Sequence, residues 1–405
     1  MTVRRPGVAE RGAISIPPPM GPTQLGEGLV RRAPVGTRLA YLDNLKTVLI
    51  AGIIASHAVM GYATFGSWTY QDVQETTLSE LVEKVYALLY LLLGGLFLMA
   101  LFFLVSGLLT PGSLQRKGPT RFTLDRLLRL GVPLAVYTLL VWPLLEYALL
   151  GPFGHRGFWN SVTNTDPVLD NGPVWFVGVL LLYSILYVAW RWRCPEGGPS
   201  ERALGGPTLV LLALGVGISL FLVRLALPMD SNQPLNVKAW GWPEYLATFG
   251  LGIVAAGRGW LRDVPRAVSR CSGIATIAAS LVVVAVAVTA DLRGLGQDVY
   301  FGGWGGLALV WAMSEGILAV SGPIWVLSFV QRHLNATGPL RQIMARGSYA
   351  AFMLQGPVII ALELTLRPAA IPGDIKALLV ATLGIVGSFA LAWPLVTRTP
   401  LRRIL

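Results

Sequence analysis

From Tyr41 onward the sequence is a succession of apolar runs separated by short polar stretches. The runs lie at 41–62, 86–109, 127–150, 173–190, 207–227, 242–257, 271–290, 303–325, 347–366 and 376–396. Most are close to the ~20 residues that carry an α-helix across a bilayer. Within lipid every backbone N–H and C=O must be paired, and a helix does this inside a single run. The sequence therefore predicts an all-α polytopic membrane protein of about ten transmembrane helices. The sixth run is the least defined, being short and Gly-rich, and Trp240 and Trp242 at its start also suit an interfacial anchor. Composition agrees, since 13% of residues are charged, half the ~25% of soluble domains.

A net charge of +11 on a soluble chain would suggest a nucleic-acid surface, but its placement points elsewhere. With the N-terminus in the cytoplasm, the tail, the loops after runs two, four, six and eight, and the C-terminus hold 24 of the 32 basic residues. Lys84, Arg156, Arg224, Lys238, Arg293, Arg367 and Lys376 fall opposite, and Lys46 lies inside the first run. This is the positive-inside bias. It puts both termini in the cytoplasm and makes the surplus charge a matter of topology, with no nucleic-acid partner expected. The expected location is the cytoplasmic (inner) membrane, with the chain crossing it many times.

Residues 1–36 are polar, rich in Gly and Pro, and without the apolar core of a signal peptide. They are expected to form a disordered cytoplasmic tail. Residues 37–405 read as a single transmembrane domain, with no internal repeat of the kind that marks two related halves. Cys194 and Cys271 both fall at the cytoplasmic side, so no disulfide is expected. His57, His155 and His333 are far apart and lack Cys partners, which gives a metal site no ligand cluster.

The first run, YLDNLKTVLIAGIIASHAVMGY, carries Asp43, Lys46 and His57. A charge near the bilayer centre costs roughly 2.5–3.5 kcal/mol on insertion scales, so such groups face protein or a wet cavity. Eleven residues separate Lys46 from His57; this returns to within about 20° of one helix face, about 16 Å further along the axis. A neutral imidazole can take a proton from a hydroxyl and later return it; an intramembrane His also cross-links helices. Asp43 and Lys46 are an i, i+3 pair, a spacing that also suits mutual neutralisation at the interface. Arg126 and Arg129 begin the third run, where guanidinium forks suit phosphate, while Arg116, Lys117 and Arg121 fit the charge rule alone. Glu146, Glu315 and Glu363 are further carboxylates within runs, Glu315 the most central of the three.

Several stretches together resemble the integral-membrane acyltransferase family, acyltransferase 3. They are the first-run spacing of a basic residue, ten residues and a His (Lys46 to His57); FFLVSG at 102–107; Arg-x-x-Arg at 126–129; and GPVWFVGVLLLY at 172–183. The run LTPGSLQRKGPTRFTLDRLLRLGVPL, 109–134, resembles the branch containing glucan biosynthesis protein C. The likeness covers the first four runs well and the later ones loosely. It implies an acyltransferase-like domain over 37–405 and transfer of an acyl group from acyl-CoA or a similar cytoplasmic donor to a hydroxyl of a glycan or glycoside, with no bound cofactor. His57 matches the family's catalytic histidine, and Lys46, Arg126 and Arg129 its basic, donor-binding positions. Ser106 and Trp175 match motif positions that suit packing as well as chemistry. One departure stands out: SYAAFMLQGPV, 348–358, has Gln355 where many relatives carry a second His, and an amide cannot exchange a proton near neutral pH. Two other readings stand beside the enzyme. One is a transporter or flippase with Asp43, Lys46, His57 and Glu315 lining a path; the other is an inactive relative acting as a scaffold.

Overall fold

The computed structural model describes residues 1–2, 39–64, 66, 68–70, 78–93, 95–154, 169–194 and 204–404. Apart from Met1 and Thr2, the 1–36 tail lies outside the described residues, and so does His155. The chain divides into two units, Met1–Leu39 and Ala40–Leu405, and every described helix belongs to the second. Among the described residues there are helices and no strands.

In chain order the principal helices are α1 (Ala40–Met60), α2 (Glu80–Leu93), α3 (Leu98–Lys117), α4 (Pro119–Leu149), α5 (Trp175–Arg193) and α6 (Gly206–Ala226). They continue with α7 (Trp242–Gly257), α8 (Arg266–Leu292), α9 (Gly306–His333), α10 (Pro339–Leu366) and α11 (Gly373–Arg398). All but α2 and α7 are long and apolar enough to cross a membrane, nine among the described residues. The sixth run is the short one: α7 has sixteen residues, about 24 Å at 1.5 Å per residue.

The second run differs from its expected form as one helix over 86–109. Helix α2 stops at Leu93, the Gly95 N–H bonds back to the Tyr90 carbonyl at 2.8 Å, and α3 starts at Leu98. Helix α3 then runs through Pro111 to Lys117, where the sequence suggested a turn from 110. A helix survives one proline by giving up one hydrogen bond. The turn falls instead at Gly118, whose φ of 73° is a conformation that suits a residue without Cβ.

Helix α4 contains two π-helical segments, Leu127–Gly131 and Tyr137–Val141. Between them is Pro133, which has no N–H to offer the carbonyl four residues back. That carbonyl belongs to Arg129, and it accepts a hydrogen bond from the Tyr349 hydroxyl of α10 at 2.8 Å. The freed backbone group is thus satisfied by a neighbouring helix, as lipid requires.

Helices approach most closely where small residues meet, which is how bundles associate when lipid supplies no hydrophobic contrast. A Cβ on Gly252 of α7 would stand 2.3 Å from the Leu104 carbonyl oxygen of α3, and one on Gly107 would stand 2.1 Å from that of Phe249. The pair lets α3 and α7 touch backbone to backbone. One apolar core gathers α1, α4, α5, α10 and α11, and a second gathers α3, α6, α8 and α9. Residues from both groups of helices wall the cavity that holds His57.

Candidate active site

His57 lies in the last turn of α1. Its Nδ1 donates to Gln355 Oε1 of α10 at 3.1 Å, which leaves the lone pair of the neutral ring on Nε2. Gln355 is fully buried. The amide therefore occupies the place that the family pattern gives to a second imidazole and fixes the tautomer of the first. On its face His57 stacks against Trp68, centroids 4.8 Å apart and planes at 15°. Trp68 Nε1 in turn donates to the carboxylate of Glu363, 3.1 Å from each oxygen. An aromatic face attracts a cation above it, so a proton taken up by the ring would meet an attractive partner in Trp68.

His57 lines a cavity of about 230 Å³ whose other walls include Tyr90, Trp175, Phe176, Lys238, Trp240, Glu244, Tyr245 and Glu315. Glu315 of α9 and Arg224 of α6 form a two-pronged ion pair, with Arg224 Nη1 to Glu315 Oε2 at 2.6 Å and Nη2 to Oε1 at 2.9 Å. Both residues are 2% exposed. Side chains lean toward the N-terminus of their own helix. Antiparallel α6 and α9 therefore aim these two at each other, inward from opposite levels. The guanidinium carbon of Arg224 also sits over the Trp240 ring at 5.3 Å. Glu244, in the first turn of α7 and equally buried, lies within the field of this pair and against the backbone of Ala100.

The segment carrying Lys238 and Trp240 is held in an unusual shape. Leu235, Asn236 and Lys238 all have positive φ, 59°, 46° and 48°, a region that costs a side-chain-bearing residue about 1–2 kcal/mol. The turn before the GPVW stretch clasps it. Asn236 donates to Asp170 at 2.8 Å, and Asn171 donates to the Leu235 carbonyl at 2.6 Å. Asp170 also accepts from Trp142 Nε1 at 3.2 Å and from the Gly172 N–H at 2.9 Å. Strained backbone held by its surroundings gathers at functional sites, and here it sets Lys238 into the cavity wall. Burial pulls the Lys238 ammonium below its ordinary pKa, and nearby Asp170 opposes that shift.

Of the residues singled out from sequence, His57, Trp175 and Glu315 share the cavity, and Gln355 is bonded to His57. Ser106 and Glu146 are not among its lining residues; the Ser106 carbonyl accepts from Thr110, and Glu146 is buried in α4. Asp43 and Lys46 sit three turns away at the other end of α1, partly buried. Arg126 stacks on Phe122 at 5.0 Å and its buried Nε has no hydrogen-bond partner among the described residues. Arg129 pairs with Asp125 at 3.1 Å, as does Lys117 at 2.7 Å. The basic positions and the imidazole thus occupy different ends of the bundle. Arg224, Lys238, Trp240, Glu244 and Trp68 were not foreseen as site residues; the run-ending positions of Arg224 and Glu244 were the only sequence signal for those two. Among the described residues no group of three or more His, Cys, Asp or Glu side chains is placed to hold a metal ion.

The acyltransferase 3 sequence profile, an acyltransferase domain, matches residues 39–397. The chain belongs to the acyltransferase 3 family. No curated protein and no solved structure matches it. The acyltransferase match begins at the start of α1, ends within α11 and includes every residue of the cavity. A membrane acyltransferase needs an acyl donor and an acceptor, and works within the lipid bilayer that its helices span.

Proposed function

We propose that this acyltransferase moves an acyl group from cytoplasmic acyl-CoA to a hydroxyl of a glycan or glycoside, with His57 as general base, at the cytoplasmic (inner) membrane. The observation that carries the reading is the His57 contact with Gln355, which leaves Nε2 with a free lone pair in a residue that lines a cavity with Lys238, Glu244 and Glu315 in its wall. The acceptor oxygen forms its bond to the thioester carbonyl carbon as Nε2 takes the hydroxyl proton. Collapse of the tetrahedral intermediate breaks the carbon–sulfur bond, and the imidazolium returns the proton to the departing thiolate. The Trp68 face supports the imidazolium between those two events.

The donor's phosphates belong at the cytoplasmic basic surface with Lys46, Arg126 and Arg129, and its pantetheine arm spans the ~16 Å of helix between Lys46 and His57. The run at 109–134 supports a place in the branch containing glucan biosynthesis protein C, hence a glycan as acceptor. Mass spectrometry of surface and periplasmic glycans from cells with and without the gene tests the whole reading. An acyl increment present only with the gene is expected, and identical glycans would sink it. Arg129→Ala is expected to raise the Kd for acyl-CoA about tenfold, the loss of one charge-assisted contact, and Arg116→Ala to leave it nearly unchanged. Equal small effects, read from acyl-CoA-dependent shifts in melting temperature, would make the Arg-x-x-Arg step a topology signal only.

A further inference from the structure

The wall of the cavity also holds two polar groups with hydrogen-bonding capacity to spare. Trp240 lines the cavity, and its indole Nε1 is buried without an acceptor among the described residues. Glu244 lines the same cavity at 2% exposure and accepts from the Ala100 backbone N–H, a single bond that leaves further acceptor positions on its carboxylate, while both terminal nitrogens of nearby Arg224 are committed to Glu315. An orphan donor and a carboxyl group lining one cavity form a pattern that hydroxyls complete, since a hydroxyl oxygen both accepts and donates. Burying such groups without a partner costs free energy, which a hydroxylated ligand relieves.

Charge and shape narrow the ligand class. Glu244, Glu315, Arg224 and Lys238 cancel formally, so an occupant needs no charge of its own. The volume of about 230 Å³ suits a single six-membered sugar ring rather than a chain of them. Trp175, Trp240, Tyr90 and Tyr245 supply aromatic walls for the apolar faces of such a ring. The Trp240 ring is itself held by Arg224, which Glu315 fixes, so the donor is pre-aimed rather than recruited by the ligand.

We propose that Trp240 and Glu244 are the hydroxyl-recognition residues of an acceptor subsite that takes one neutral pyranose ring and turns another of its hydroxyls toward His57. This rests on the acyl-transfer reading only for the role of the bound ring; the binding itself is independent of it.

The test is a thermal-shift titration of the full chain in nanodiscs with methyl β-glucopyranoside, methyl β-galactopyranoside and methyl α-mannopyranoside, and with cyclohexanol as a single-hydroxyl control. At least one glycoside is expected to raise the melting temperature saturably and cyclohexanol not to. Trp240→Phe, which keeps the ring and removes the N–H, and Glu244→Gln are each expected to weaken that glycoside at least tenfold. The subsite is overturned if none of the three glycosides shifts the wild type, if cyclohexanol matches them, or if both variants bind unchanged. Should Glu244→Gln fail to fold, Trp240→Phe, which leaves every charge in place, decides alone. Glycoside binding with this pattern in a protein that transfers no acyl group would sustain the subsite while removing the enzyme reading.

Discussion

Replacing His57 with alanine is expected to lower acyl transfer by about 10²–10⁴-fold, the usual worth of a positioned general base, in membranes where the variant inserts at wild-type levels. His57→Gln is expected to do the same. Glutamine preserves much of the size and a hydrogen-bonding edge toward Gln355, yet has no basic nitrogen to accept the acceptor's proton. The comparison therefore separates proton transfer from packing. Undiminished transfer in both variants would remove His57 from the chemistry. Activity retained in His57→Gln and lost in His57→Ala would instead assign the residue a structural role as the α1 to α10 cross-link.

The second large effect falls on the Arg224–Glu315 pair and is read in folding. Removing one member of a buried ion pair leaves the other charge uncompensated, which costs about 3–5 kcal/mol. The cost should be unequal here. Arg224→Met leaves the Glu315 and Glu244 carboxylates facing one buried region without a cation between them, whereas Glu315→Gln leaves Arg224 with Glu244 still near. Monodisperse protein recovered after detergent extraction is expected to fall most for Arg224→Met and less for Glu315→Gln. It should recover substantially in the double variant Arg224→Met/Glu315→Met, where no charge is left in the pair. Single variants that melt with the wild type would show that the pair adds nothing to the fold.

Much of the scaffold was legible because a lipid environment leaves so few choices. Apolar runs of bilayer length had to become helices, and the basic residues had to gather at one end. The site was legible only where an ionisable or motif residue interrupted such a run, as at His57, Trp175 and Glu315. Arg224 escaped notice because its meaning depends on a carboxylate 91 residues later; at the end of its own run it reads as an interfacial charge. Glu244 was hidden in the first turn of the one run too short to be convincing. Ser106 and Glu146 show the opposite situation. Their residue types fit, but a run's periodicity does not say which helix face a neighbour will cover, and both ended away from the cavity. The break before α3 and the continuation through Pro111 were also beyond the sequence, because one proline is affordable in a helix whose other backbone groups are all paired. Gln355 is the most instructive case. As a sequence letter it signalled a missing imidazole, whereas in the fold it is the partner that orients the imidazole that remains.

The hydroxyl that Tyr349 lends to the Arg129 carbonyl has a consequence beyond satisfying a proline-freed oxygen. Six residues further along the same unbroken helix stands Gln355, the anchor of His57. Six residues of α-helix measure about 9 Å. Helix α10 thus serves as a ruler with one mark on the basic segment and the other on the anchor of His57. The two ends of the proposed reaction path are held at a set spacing by one rod, and a displacement of α4 at Arg129 cannot occur without either breaking the Tyr349 bond or carrying the imidazole's anchor with it.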